Sequence, residues 1–269
     1  MRLALSLAFA LLSAPIPLRL DDPKPIVAKL DASPEAQARF DALIAAYRGL
    51  PAYADHGEVV VVTQVGEKTI RRARKARIAF AGPNKLDVET DLVRLVSDGT
   101  TVTEANIPLQ KYRVMPVPNP FRESAFRGGP LGSTEFGGMA GLPLAHVLNL
   151  VIGYEPERLV ADFAPKLLIE PDQAVEGIAY QVLRFDEADN HDWRFLIDPK
   201  TGLIAYVDLA IEGDAAKSSI AGPNVHVSSI RWSAGGISTA PPGPDSFRFP
   251  VPEGFTAVAP LEVSKPPEK

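Results

Sequence analysis

The chain contains no cysteine. That absence removes disulfides, thiolate metal sites, a cysteine nucleophile and a lipid-modified N-terminal cysteine together. Histidine is sparse as well: His56, His146, His191 and His226 are scattered without metal-ligand spacing of the H-E-x-x-H kind, so no metal site and no cofactor are expected. Long apolar runs are missing too. The run that opens the chain, Leu3 to Leu12, is about ten residues, short of the roughly 20 that span a bilayer as a helix. Nor is there a basic excess: 28 Lys and Arg stand against 33 Asp and Glu, for a formal net charge of -5. A field of that sign does not attract a phosphate backbone, which excludes nucleic acid as an expected partner.

What is present begins with Arg2 ahead of that apolar run, followed by small residues and prolines. This reads as a secretory signal over residues 1–20, cut between Ala14 and Asp21, which leaves an exported, soluble protein. A Pro-rich leader occupies 21–32. Ser33-Pro34-Glu35 then supplies an N-cap, a proline at the first helical position and an early acid. Ala36, Phe40, Leu43, Ile44 and Tyr47 place one apolar stripe on the helix that follows, ending near Gly49 and Pro51.

From Tyr53 the period changes to two. Short strands are expected at Glu58 to Val65, Ile70 to Phe80, Lys85 to Thr90, Leu92 to Ser97, Thr101 to Ala105 and Gln110 to Met115, an antiparallel meander broken by Gly, Pro, Asn and Asp. In KLDVET, Leu86 and Val88 face one way while Lys85, Asp87 and Glu89 face the other, which predicts one apolar and one wet face. Residues 116–141 are rich in proline and glycine and predict a flexible loop. Residues 142–164 predict a helical insertion: Leu142 to Ile152 after Pro143, apolar round most of its circumference, and Glu157 to Phe163. Strands resume at Lys166 to Glu170, Ile178 to Asp186, Trp193 to Asp198, Leu203 to Glu212 and Val225 to Ser233. Asp198-Pro199-Lys200-Thr201-Gly202 marks a hairpin, Phe247 and Phe249 a last short strand, and 259–269 a disordered tail.

About eleven strands, an N-terminal helix and a helical insertion describe a mainly β (α+β) chain with one domain over 33–258. A sheet that wide, curled into a barrel, cannot fill its interior with its own side chains. This suggests a container with a lid.

Three motifs carry a resemblance. Pro83-Asn84-Lys85-Leu86 enters a strand, and Leu95-Val96-Ser97-Asp98-Gly99 leads through a Pro108 step to Lys111-Tyr112. Later, Trp193 to Asp198 precedes Thr201-Gly202-Leu203, and Phe247 to Phe255 closes the chain. In this order, from about Ser33 to Val258, the chain resembles the LolA-like periplasmic proteins, and most closely their uncharacterised branch. The resemblance implies an unclosed antiparallel barrel of about eleven strands, helices over its mouth, a hydrophobic cavity for acyl chains and a periplasmic location.

Acid/base chemistry finds little support. Asp87 and Glu89 share the polar strand face with Asp91 close by, where nothing is expected to raise a pKa. Ser97-Asp98-Gly99 has no nucleophile elbow. The acidic run Glu187 to Asp192 lacks the EF-hand pattern and reads as a hairpin tip.

The expected cavity wall is therefore Phe80, Leu86, Val88, Val207 and Leu209 on strands and Leu144, Val147, Leu148, Val151, Leu159 and Phe163 on the lid, with Gly153 and Pro156 as hinges. The run IRRARKARIAF places Arg71, Arg72, Arg74, Lys75 and Arg77 on one strand. It reads either as an edge whose charges discourage pairing or as a cationic rim for anionic head groups or an acidic partner. The expected function is a monomeric, non-catalytic carrier of an acyl chain, lipid or lipoprotein, touching membranes only transiently. The alternative is an envelope sensor or protein-interaction module with the same fold and an envelope protein as partner.

Overall fold

The computed structural model describes residues 31–119, 121, 142–152, 166–186, 191–211 and 225–258. The expected signal, most of the leader, the loop beyond Phe121, the second lid helix with Leu159 and Phe163, the hinges Gly153 and Pro156, and the tail lie outside the described residues.

In chain order the elements are β1 (Asp31–Ala32), α1 (Pro34–Arg48), β2 (Ala52–Val65), β3 (Lys68–Ala81), β4 (Lys85–Thr90), β5 (Val93–Asp98), β6 (Thr101–Asn106) and β7 (Lys111–Pro116). They continue with α2 (Leu142–Ile152), β8 (Lys166–Val175), β9 (Ile178–Asp186), β10 (His191–Ile197), β11 (Ile204–Ile211), β12 (Val225–Ala234) and β13 (Thr256–Ala257). All thirteen strands form one sheet, ordered β1-β8-β9-β10-β11-β12-β2-β3-β4-β5-β6-β7-β13, whose two end strands do not pair with each other. The barrel is thus unclosed. Two meanders, β2 to β7 and β8 to β12, are joined by antiparallel pairing of β12 with β2.

The segments expected as strands fall on β2 through β12, and the sheet has thirteen strands among the described residues against about eleven expected. β1 and β13 are additions, two residues each, paired in parallel with β8 and β7. So short a segment carries no alternation, and periodicity cannot show it. Ala32, expected in the leader, thereby belongs to the sheet. A further correction concerns Phe247: it closes a 3-10 turn, Pro244–Phe247, rather than lying on a strand.

Local chemistry explains the framing of α1. The Ser33 side chain accepts a hydrogen bond from the Ala36 amide at 3.1 Å, Pro34 fills the first turn and Gly49 ends the helix. Its five stripe residues, Ala36, Phe40, Leu43, Ile44 and Tyr47, are all buried. Phe40 meets Phe185 of β9 edge-on at 5.9 Å, and the Tyr47 hydroxyl accepts from the Ile204 amide. At the β10–β11 turn, Gly202 donates to the Asp198 carbonyl at φ +71°, as the sequence predicts. A bulge between Leu196 and Ile197 shifts the register there. It puts Ile204 in the main core and Ala205 against a small cluster of Tyr180, Val182 and Leu196. Alternation alone predicts a shared face for Ala205 and Val207; the bulge is what separates them.

Candidate functional site

The sheet is apolar on the face that carries α1 and α2. Register assigns Tyr53 and Val59 of β2, Ile78 and Phe80 of β3, Leu86 and Val88 of β4, and Leu95 of β5 to that inner face. Phe195 of β10, Val207 and Leu209 of β11, and Ile230 and Trp232 of β12 continue it across the second meander. These residues join the buried residues of α1 and α2 in one cluster.

Helix α2 packs between the meanders, against β2, β3, β11 and β12, and touches α1. Leu144, Val147, Leu148, Leu150 and Val151 are all buried. His146 is buried with them, its ring edge-on to Trp193 at 4.3 Å and to Phe195 at 5.4 Å. The fold thus brings nine of the eleven expected wall residues together, Leu159 and Phe163 being outside the described residues. Eight of the nine are buried and Phe80 is partly so. The clefts beside Lys75 and Glu89, beside Phe247 and Phe249, and beside Ile44 and Arg48 include none of them in their lining.

Polar groups interrupt the inner face at two places that sequence reasoning missed. The Tyr53 hydroxyl donates to Asp55 Oδ2 at 3.1 Å, in a buried pair where burial raises the pKa of both groups. On β6 and β7, Glu104 opposes Arg113 in register, and both are buried. Burial pushes the Glu104 carboxyl up, and the Arg113 charge and hydrogen bond pull the other way. Glu104 Oε1 and the Trp232 indole nitrogen are buried without a hydrogen-bond partner among the described residues. A signal for Glu104 existed, since TVTEAN puts Glu104 in phase with Val102 on the apolar side.

The outer face corrects the reading of Asp87. It is not solvated: its side chain is 0% exposed and its pKa is raised by burial, against the opposing pull of Arg94 and Arg77. Arg77 donates at 2.8 Å to Asp87 and at 2.6 Å to Glu89, and Arg94 donates twice more to Asp87. The cause is distant in sequence. The segment around Pro244–Phe247 packs on β4 and β5, the Arg248 carbonyl accepts from Arg94, and Arg94 lies over the Phe249 ring at 5.5 Å. Strand alternation cannot reveal a cover supplied by the far end of the chain. The result is an ion clasp under a strap, with both arginines occupied by carboxylates. Asp91 stands apart, 3.5 Å from Arg74 at the end of β4.

The basic run divides. Register places Arg72 and Arg74 on the inner side with Ile70, and Arg71, Lys75 and Arg77 on the outer side. Asp98 caps its turn by accepting from the Thr100 and Thr101 amides, which lowers its pKa, and Ser97 donates to the Asn84 carbonyl. Both act as scaffold. Among the described residues no three His, Cys, Asp or Glu side chains group as a metal site, and no helix is long and apolar enough to cross a membrane.

No protein-family model and no curated protein matches the chain. Solved structures similar to it include MucB, with a TM-score of 0.36 and 16% identity over 81% of this chain. This chain spans only 63% of that MucB chain. An uncharacterized conserved protein from Thermus thermophilus gives a TM-score of 0.42 and 9% identity over 83% of this chain and 98% of that one. A LolA superfamily protein from Nitrosomonas europaea gives 0.30 and 8% over 80% and 97%. At these identities and TM-scores the likenesses fix neither ligand nor partner.

Proposed function

We propose that the chain is a periplasmic, non-catalytic binding or carrier protein that holds an acyl chain, the lipid of a lipoprotein or another hydrophobic ligand between the inner face of the half-barrel and α2. The observation that carries this reading is the manner in which α2 is seated. An eleven-residue helix without a charged side chain lies across the inner face, its buried side chains almost all aliphatic. Such packing is non-directional and scales with the apolar area removed from water. An apolar ligand can therefore replace α2 against Leu86, Val88, Val207 and Leu209 by exchanging one greasy surface for another, with no buried charge to strand.

The cargo has reason to enter. Each buried methylene contributes about 0.8 kcal/mol, so a long acyl chain gains on the order of 10 kcal/mol by leaving water. Leu144, Val147, Leu148 and Val151 are the first residues it meets when α2 lifts. The Glu104 and Arg113 pair, farther along the same face, is the polar point at which a ligand head would be held. The domain boundaries 33–258 and a monomeric state belong to the same proposal.

The test is mass spectrometry of organic extracts from natively purified protein, beside a Leu148→Glu variant that puts a charge on α2. Co-purifying lipid that is lost in the variant supports the carrier. Reproducible absence of lipid, with no binding of added fatty acid or phospholipid to the wild type, sinks it.

A further inference from the structure

Among the described residues, the first half of β3 has a partner strand on one side only. β2 accompanies it from Lys68 to Ala81, but β4 pairs only with Ala76 to Ala81 and then turns away into β5. Lys68 through Ala73 are consecutively exposed, and Lys75 is exposed as well. About eight residues, some ~26 Å of strand, thus present a free edge. At the ends of the sheet β1 and β13 cover only two residues each of β8 and β7; the opening beside β3 differs in lying in mid-sheet and in carrying the basic run. A free edge offers backbone N–H and C=O groups to any strand that comes alongside.

Its side chains select the visitor. Lys68, Arg71, Arg72, Arg74 and Lys75 crowd the edge. Arg74 reaches Asp91 at 3.5 Å, and the other four have no ion pair among the described residues. The cross-strand neighbours of Arg71, Arg72 and Arg74 are Val62, Val61 and Val59, which supply no countercharge, whereas Lys75 lies across from Glu58. Edge-to-edge pairing of two copies would set this basic run against itself, which like charge opposes. A lipid surface is a poor match too, because Arg72 and Arg74 point to the opposite side of the sheet from Arg71 and Lys75. An extended peptide meets both sets at once, since its successive side chains alternate between the same two faces. Where β4 peels off, the edge runs into a cleft of about 750 Å³ in which Glu58, Glu89, Asp91 and Glu176 stand beside Lys75 and Arg77. Those acids bound the basic stretch, so an acidic segment is held along Lys68 to Lys75 and not in the cleft.

We infer that the Lys68 to Lys75 edge is a docking site for an extended acidic segment of a partner protein, which adds as a strand beside β3 in line with β4. This holds whatever occupies the inner face. Acids at adjacent positions of that segment, rather than at every second one, satisfy the two sets of bases.

The experiment uses the full chain and a fluorescein-labelled peptide of about ten residues, built of Glu-Asp pairs separated by Val or Thr and read by fluorescence anisotropy. Saturable binding is expected, about tenfold weaker in an Arg71→Glu/Arg72→Glu variant, with slowed amide exchange at the free edge of β3. Both arginines are exposed, so the variant should melt like the wild type. Two further peptides carry N-methyl groups at the odd or at the even positions, and one of the two should lose binding. Affinity that survives both methylation patterns, or that is unchanged in the double variant, would show attraction without strand pairing and overturn the inference. Binding to phosphatidylglycerol vesicles with none to the peptide would overturn it as well.

Discussion

Arg113 Nε donates to Glu104 Oε2 at 2.5 Å directly across the β6–β7 pair, with both side chains buried on the apolar side of the sheet. Removing one partner leaves the other charge stranded, whereas removing both leaves an apolar surface. Arg113→Met alone is expected to cost about 3–5 kcal/mol, and Glu104→Leu/Arg113→Met together to fall within about 1 kcal/mol of the wild type. Urea denaturation of the four members of the cycle measures this. A double variant as unstable as the single one would mean the pair is a net stabiliser.

Stability should depend on pH in an unusual sense. Burial is the leading cause that raises the carboxyls of Asp55, Asp87 and Glu104 above their ordinary values. A carboxyl with a folded pKa above its unfolded one draws protons to the folded state first, so its charge costs stability at neutral pH and that cost fades as pH falls through the folded value. Asp98, lowered by the amides that it caps, works the other way, and its contribution is lost only below the ordinary carboxylate range. The melting temperature should therefore rise as pH drops from neutrality toward the ordinary carboxylate range, and by less in the Glu104→Leu/Arg113→Met variant. A profile that is flat or inverted over that window would contradict the assignment.

Gly57 sits where β2 passes β12. A Cβ placed there would come within 2.0 Å of the Ser233 carbonyl oxygen and 2.7 Å of the Trp232 ring. Backbone cannot yield as a flexible side chain can, so Gly57→Ala should destabilise by about 3 kcal/mol, with loss of the near-ultraviolet signal of the buried Trp232. Thermal melts and circular dichroism decide it, and a neutral outcome would show that this crossing is looser than those distances imply.

Leu148→Ala should cost about 3 kcal/mol as a buried truncation. If the inner face takes acyl chains, palmitate added at roughly 100 times its Kd should raise wild-type stability by about 2.7 kcal/mol, by mass action on the folded state. Calorimetry with and without palmitate reads both effects. An unchanged melting point across the palmitate series would argue against an acyl ligand.

Much of this architecture is written in alternation and punctuation. The stripe Ala36, Phe40, Leu43, Ile44 and Tyr47 and the antiparallel strand succession are legible because each is a local pattern repeated many times. Leu86, Val88, Val207 and Leu209 share one buried cluster with the α2 residues because period two and helical spacing both point them inward. Asp87 escapes such reading because its cover comes from Pro244–Phe247, and a pattern of neighbours carries no trace of a distant strap. Glu104 is different: its phase with Val102 marks it as an acid on the apolar side, and only its partner Arg113 waits for the register of β6 on β7. β1 and β13 are too short for any period to register. The free edge of β3 emerges only from the lengths of two paired strands, β4 being shorter than β3.

The seam between β12 and β2 has a consequence for how the chain reaches this state. Within each meander every strand pairs with the one just made, so hairpins can zip in sequence from local encounters. The union of Val65 with Val225 and of Gly57 with Ala234 must instead close a loop that contains most of the protein. Two curled ribbons should thus form early and meet late. Until they meet, β2 exposes a second unpaired edge along EVVVVTQV, the most valine-rich strand of the sheet and the one most prone to stick to its own kind. Two such ribbons meeting along that edge would bring the arginines of the adjoining β3 strands toward one another, and like charge opposes that pairing.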